Sequence, residues 1–243
     1  MRLAVIGHLS RDVIAGGPPR IGGPPWHAGR ALRALGADAR IAAKCGEADA
    51  VDFGRELETL GLPFDLVVGW ETTAFSFTYD AAGVRTMTVD AVGDPWRTDE
   101  IRLEGVDWLL VAPVLRGEID VAAVSEGRHV LLDGHGLVRR PEIGPLELDD
   151  DFDRGMLAGV EMLKLSDEEA AVVGEVSVPE VIVTHGARGA TVAGVHVAAE
   201  PVDGDPTGAG DMFAAAYLVS RAEGAGPVDA ARRANAVVAE LLR

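Results

Sequence analysis

Apolar residues along this 243-residue chain fall into short runs with two alternating periods. Leu3 to Gly7 is a brief apolar run closed by glycine, the pattern of a buried strand that ends in a turn. A Gly/Pro-rich stretch from Gly16 to Pro25 is predicted to be non-helical. Beyond it Ala28, Ala31, Leu32 and Leu35 recur at helical spacing until Gly36 stops the run. Ile41 to Ala43 reads as the next strand, and Val51 to Leu60 as a helix closed by Gly61. Strand followed by helix, repeated, predicts a parallel sheet covered by helices.

Between Thr72 and Val89 the period changes to two, with Ala74, Ser76, Thr78 and Arg85, Met87, Val89 on either side of a turn at Ala81 to Gly83. This predicts a hairpin inserted in the α/β chain, a flap over a site. Alternation then resumes. Strands are expected at Trp108 to Ala112, Val130 to Asp133, Met162 to Leu165 and Val181 to Thr184, with helical segments at Ile119 to Ser125 and Glu168 to Val173. Met212 to Ser220 and the stripe Ala230, Ala231, Ala234, Val238, Leu241 predict two closing helices. The fold class is α/β, a doubly wound, mainly parallel sheet flanked by helices, in a single domain over residues 1–243.

Composition sharpens this picture. Hydrophobic residues make up 48% of the chain and aromatic ones 5%, so the core is built of Ala, Val and Leu. A formal charge of -17 argues against nucleic-acid and anionic-membrane partners, which need a basic footprint. Cys45 is the single cysteine, which rules out an internal disulfide and predicts a small buried hydrophobe in a cytoplasmic protein. No secretory leader or membrane-length apolar run is read. Arginine outnumbers lysine 20 to 2, a bias that bears on motif positions below. The six histidines show no metal-ligand spacing.

The most informative stretch is Asp205-Pro206-Thr207-Gly208-Ala209-Gly210-Asp211-Met212-Phe213, a glycine-rich turn feeding an apolar helix. Gly208 and Gly210 let backbone approach a ligand closely, and first-turn amides with the helix dipole favour phosphate oxygens. Asp211 is out of place beside a phosphate unless a metal compensates or it takes up a proton, as a base that activates a hydroxyl does. A helix-capping aspartate is the competing reading.

This segment resembles the signature Asp-Thr-Thr-Gly-Ala-Gly-Asp-x-Phe of the ribokinase-like (PfkB) carbohydrate kinases, with Pro206 at the first Thr. The resemblance spans nearly the whole chain. Gly7-His8-Leu9-Ser10-Arg11-Asp12 resembles the family's opening strand end, and Gly22-Gly23 before a helix its N-terminal signature. It implies a small β lid from segments at about 9–22 and 72–90, with Asp211 as base and Gly208, Ala209 and Gly210 as an anion hole. It further implies that Asp12, Gly22 and Gly23 contact the substrate. Lys164-Leu165-Ser166-Asp167-Glu168-Glu169 resembles an Asn-x-x-Glu motif, with Ser166 at the Asn, which implies that Glu169 organises Mg2+ through water. Thr184-His185-Gly186-Ala187-Arg188-Gly189 resembles a nucleotide turn. Thr184, Gly186, Gly189, Thr207 and Asn235 are thereby implied to bind ATP, Asn235 beside the adenine. A monovalent cation and a homodimer built through the lid also belong to what the family allows.

Where relatives show Gly-Gly-Lys-Gly-x-Asn, this chain reads Gly22-Gly23-Pro24-Pro25-Trp26-His27. Without the lysine an uncharged acceptor is expected rather than a sugar phosphate, with His27 meeting a hydroxyl in place of Asn. Ala112-Pro113-Val114 and the run from Asp133 to Arg139 resemble the myo-inositol kinase-like branch. The expectation is an ATP-dependent kinase for an inositol-like polyol or sugar. A nucleoside acceptor, stacked on Trp26, Phe75, Phe77 or Tyr79, is the runner-up, and a non-catalytic polyol or nucleotide sensor is the reading from another class.

Overall fold

The strand predicted at Leu3 to Gly7 is the axis of the fold. In the computed structural model, which describes residues 2–79, 85–202 and 204–243, it extends over Leu3–His8 (β1) and is buried along its length. The turn expected at Ala81 to Gly83 lies outside the described residues. In chain order follow β2 (Ser10–Ile14), β3 (Arg20–Gly22), α1 (Pro24–Ala34), β4 (Ala39–Gly46), α2 (Ala50–Thr59), β5 (Phe64–Gly69), β6 (Thr73–Tyr79) and β7 (Arg85–Ala91). The second half holds β8 (Trp108–Ala112), α3 (Val121–Ser125), β9 (His129–Asp133), α4 (His135–Val138), β10 (Gly144–Pro145), β11 (Met162–Ser166) and α5 (Asp167–Val173). The chain closes with β12 (Glu180–Thr184), β13 (Ala190–Val192), β14 (Val195–Val197), α6 (Ala209–Ala222) and α7 (Pro227–Leu241).

Among the described residues nine strands form the main sheet, in the order β14-β13-β12-β11-β9-β8-β1-β4-β5. Neighbours from β5 to β12 are parallel, whereas the β12–β13 and β13–β14 pairs are antiparallel, so that β13 is the reversed strand. Strand alternation splits the core into two layers. Val5, Leu110, Leu131 and Met162 pack with α1, α6 and α7 on one face. Ile6, Leu109, Val130, Leu132 and Leu163 pack on the other with Val121, Val124 and Val173 of α3 and α5. The chain runs outward from β1 through β4 to β5 and then returns to β8 on the far side of β1. That reversal opens a crevice at the carboxyl ends of β1 and β8, where open α/β sheets bind ligands.

The lid is a second, five-stranded sheet in the order β10-β7-β6-β2-β3. Phe75, Phe77, Val89, Val114 and Leu115 form its own small core. Two features depart from the sequence reading. Pro24 and Pro25, expected outside any helix, are the first two residues of α1, where a missing N–H costs nothing and the fixed φ suits a helix start. Strands β5, β10, β13 and β14 fall outside the sequence expectations; β5 is a half-exposed edge strand, and the others are only two or three residues each. Cys45 is buried as expected, and burial pushes its thiol up to about 12. No helix among the described residues is long and apolar enough to cross a membrane.

Candidate active site

The glycine-rich turn sits at the amino end of α6. Asp205 shapes it by accepting the Thr207 amide at 3.0 Å and hydroxyl at 2.5 Å, and it meets Arg20 of β3 at 2.7 Å. Partial burial opposes ionisation, yet the bonds from Thr207 and Arg20 hold the Asp205 carboxyl down at about 2. Gly208 caps α6 with φ 77°, the left-handed region where glycine alone is unstrained. Any Cβ there would overlap the ring of His27. Met212 makes the first helical bond back to Gly208 at 2.9 Å, and the Ala209 amide is spent on the Pro206 carbonyl at 3.0 Å. The amides of Gly210 and Asp211 donate to no acceptor among the described residues. Two open amides at a helix amino end favour an anion.

Asp211, in the first turn of α6, is 7% exposed, and its Oδ1 has no hydrogen-bond partner. Burial pushes its carboxyl up to about 7, and the charge of Asp133 pushes the same way. Lys164 and Arg139 oppose the rise, and Asp12 adds to it. The carboxyl therefore changes state near neutral pH, as a proton acceptor should. Gly208, not Asp211, is the N-cap of α6, and no side chain caps this helix, which removes the competing reading.

Below Asp211 lies a charged cluster that sequence spacing does not reveal. Lys164 of β11 is the register partner of Asp133 on β9, and its Nζ donates to both carboxylate oxygens at 3.1 and 3.2 Å. Both side chains are buried. Burial and the neighbouring Glu169 raise the Asp133 carboxyl against the pull of Lys164. Glu169 closes a capping box on α5: its Oε2 accepts the Ser166 amide at 2.8 Å while Ser166 Oγ accepts the Glu169 amide at 3.2 Å. Serine in place of asparagine is thus the ordinary cap of this helix. The other Glu169 oxygen stands 3.4 Å from His135 Nε2 and 3.6 Å from Arg139.

Asp133, His135 and Asp211 bring one nitrogen or oxygen each within 4.8 Å of one another. This corrects the expectation that the scattered histidines join no cluster. The Lys164 ammonium already holds both oxygens of Asp133, so the group arrives with its own cation. Glu169, buried and hydrogen-bonded, suits an outer role behind magnesium waters rather than direct ligation. Such a donor set fits Mg2+ held mainly by phosphate oxygens and water.

Among the residues expected to meet the substrate, Asp12 of β2 is 3% exposed and accepts the Ser10 hydroxyl at 2.7 Å. A side chain at Gly22 would overlap its carboxylate. Gly23 caps α1. His27 is buried, and burial first, then Arg30 and Arg20, lower its pKa to about 4. It is therefore a neutral ring, with Nδ1 unpartnered. Phe75 and Phe77, considered for base stacking, are buried in the lid core, and Trp26 packs against the main core. The side chain of Tyr79 is outside the described residues.

Of the residues expected at the nucleotide, Thr207 lies in the glycine-rich turn itself and Thr184 pairs in register with Ser166 of β11. Thr184 donates its hydroxyl to the Leu165 carbonyl at 3.1 Å. Gly186 opens a short 3-10 turn, and Gly189 closes it against the Val197 carbonyl. Asn235 turns its amide to the Val197 and Ala198 carbonyls at 3.0 and 3.3 Å, tying α7 to the end of β14.

A second buried network fixes the lid. His8 at the end of β1 has Nε2 2.8 Å from the Asp94 carbonyl and Nδ1 3.2 Å from Glu118. Glu118 also accepts the Val114 amide at 2.7 Å and the Thr73 hydroxyl, from the first residue of β6, at 3.2 Å.

A family model described as pfkB family carbohydrate kinase matches residues 20–242. No curated protein sequence matches the chain. Among solved structures, a pyrophosphate-dependent kinase in the ribokinase family, complexed with a pyrophosphate analog and myo-inositol, is 20% identical with a TM-score of 0.85, over 99% of this chain and 95% of that one. Burkholderia thailandensis nucleoside kinase in complex with inosine is 19% identical, with a TM-score of 0.77 over 99% and 90% of the two chains. A ribokinase from Thermotoga maritima is 20% identical, with a TM-score of 0.69 over 99% and 92%. At these identities the likeness carries the fold.

Proposed function

The chain belongs to the pfkB family of carbohydrate kinases, and on that premise we propose that it phosphorylates a hydroxyl of a small uncharged polyol, with inositol-like rings as the leading acceptors. The observation that carries this reading is the bare, buried Oδ1 of Asp211 beside the open amides of Gly210 and Asp211. The acceptor hydroxyl donates to Oδ1. As its oxygen bonds to phosphorus and the bridging oxygen of the donor leaves with the electron pair, the hydroxyl proton passes to Asp211. The two amides meet the oxygens of the transferring group, where charge is greatest. Asp12 and the neutral ring of His27 orient the acceptor, and Mg2+, when bound, offsets donor charge, with Glu169 behind its waters.

The acceptor follows from what lines the site. Pro24 and Pro25 stand where a phosphate-binding lysine would be, and no lysine or arginine replaces it between Gly22 and His27. Among the described side chains, the rings considered for a nucleoside, Trp26, Phe75 and Phe77, are spent in two cores. For the donor, ATP is the first reading, through Thr184, Gly186, Gly189 and Thr207. Pyrophosphate is the second, favoured by Asn235, whose amide is engaged with Val197 and Ala198 instead of facing an adenine. Phosphorus NMR of reactions containing Mg2+, myo-inositol and either donor tests both. A phosphomonoester of the polyol supports the proposal, and donor hydrolysis with no ester formed refutes it.

A further inference from the structure

The chain contains two lysines against twenty arginines, so lysine is kept where arginine does not serve. Arginine works the surface, as in the exposed pairs of Arg55 with Asp52 and Arg97 with Asp99. Both lysines are 2% exposed. A compact ammonium fits a tight buried site that a planar guanidinium fork does not. Lys44 divides its donors between the Glu100 carboxylate at 2.6 Å and the Pro95 carbonyl at 3.0 Å, a structural tie. Lys164 is different, because both of its hydrogen bonds go to the single carboxylate of Asp133.

Among the described residues Lys164 reaches no other acceptor, so an ammonium with three N–H groups keeps donor capacity in hand. That capacity sits under the anion hole: Nζ lies 3.1 Å from where a Cβ on Gly210 would stand. Around the same point are the open amides of Gly210 and Asp211 and the bare Oδ1 of Asp211. Unmet buried donors and acceptors are costly, and here they cluster. One arrangement satisfies them all: an oxyanion that takes the lysine and amide donors, with a hydroxyl on Oδ1. A metal at Asp133 would have to share that carboxylate with the ammonium.

We propose that Lys164 is a catalytic residue, its Nζ donating to a non-bridging oxygen of the transferring phosphoryl group, with Asp133 as the positioning residue that aims it. The inference rests on the kinase reading and adds a side-chain cation to a hole otherwise made of backbone. It also accounts for how so acidic a chain can hold a polyanion at this point.

The presence of only two lysines makes a direct test feasible. Protein labelled with 15N at lysine Nζ gives two ammonium resonances, assigned by their loss in Lys44→Met and in the charge-neutral pair variant Lys164→Met/Asp133→Asn. On adding inorganic pyrophosphate with Mg2+ to the unmodified protein, the Lys164 resonance should shift saturably and that of Lys44 should stay. The same addition should perturb the backbone amides of Gly210 and Asp211. In turnover, Lys164→Arg should keep part of the activity that Lys164→Met/Asp133→Asn loses, with the latter's kcat down by about 100-fold, as for loss of one transition-state donor. Perturbed amides with an unmoved Lys164 resonance overturn the inference while sparing the kinase reading. If neither responds and no acceptor is phosphorylated, the kinase reading falls and takes the inference with it.

Discussion

The imidazole of His27 occupies the space that a side chain on Gly208 would need, so helices α1 and α6 meet at a point only glycine allows. Gly208→Ala forces both a left-handed alanine and a displaced ring. The backbone part alone costs about 1–2 kcal/mol. We expect a lower melting temperature and a fall in kcat/KM of roughly 100-fold, the size of effect a misplaced reacting group produces. Thermal melts and steady-state kinetics on the same preparation check this.

Asp211 sets the pH response. Its carboxyl is held at about 7, against 3.8 for a free aspartate, so turnover should rise with pH through about 7 as the base ionises. Stability runs the other way. The folded state keeps the proton longer than the unfolded chain, so stability falls as pH climbs from the unfolded pKa to the folded one. Asp211→Asn should abolish turnover and yet melt higher than the parent at pH 8, by about 2 kcal/mol or roughly 4–8 °C, with the difference shrinking toward pH 4. Melting curves across that range read the sign directly.

The lid anchor makes a different prediction. Burial alone would lower the His8 pKa, but Glu118, at contact distance, outweighs it and the net shift is upward. The charged pair therefore stabilises the fold below the unfolded histidine pKa, and that contribution is lost as pH rises through the folded value. Glu118→Gln removes the partner that keeps His8 protonated, so the buried pair is lost, and should cost about 3 kcal/mol in urea unfolding at pH 6. Because Thr73 hangs on the same carboxylate, KM for the acceptor should rise while kcat changes little.

Asn235→Ala separates the two donor readings. With its amide bound to Val197 and Ala198, the substitution should destabilise the protein by about 1–3 kcal/mol through the orphaned carbonyls. The KM for ATP, measured at a temperature where the variant is folded, should stay unchanged. A raised KM for ATP would return Asn235 to the adenine edge.

What the sequence made legible was whatever is contiguous. The turn from Asp205 to Asp211 declared itself because two glycines, a carboxylate and an apolar helix follow one another directly. The same holds for the alternating strands and helices, whose period is local. The Lys164–Asp133 pair was not legible, since it depends on which residues of β11 and β9 fall opposite each other. A lysine between Leu163 and Leu165 reads equally well as the outward residue of an edge strand. The usable signal is the rarity of lysine in an arginine-rich chain. His8 and Glu118 lie 110 positions apart, and no local pattern joins them. Asn235 was correctly placed on the last helix, but what its amide bonds depends on where β14 ends.

The central claim is that Asp211 takes the proton of a polyol hydroxyl during phosphoryl transfer. It is tested most directly by release of ADP from Mg-ATP, and of phosphate from Mg-pyrophosphate, across inositols, free sugars, sugar phosphates and nucleosides, with Asp211→Asn beside the parent. The expected result is turnover that depends on an uncharged polyol, rises through about pH 7 and disappears in the variant. Ligands that bind without any acceptor raising turnover would contradict the account and favour a sensor built on the same fold.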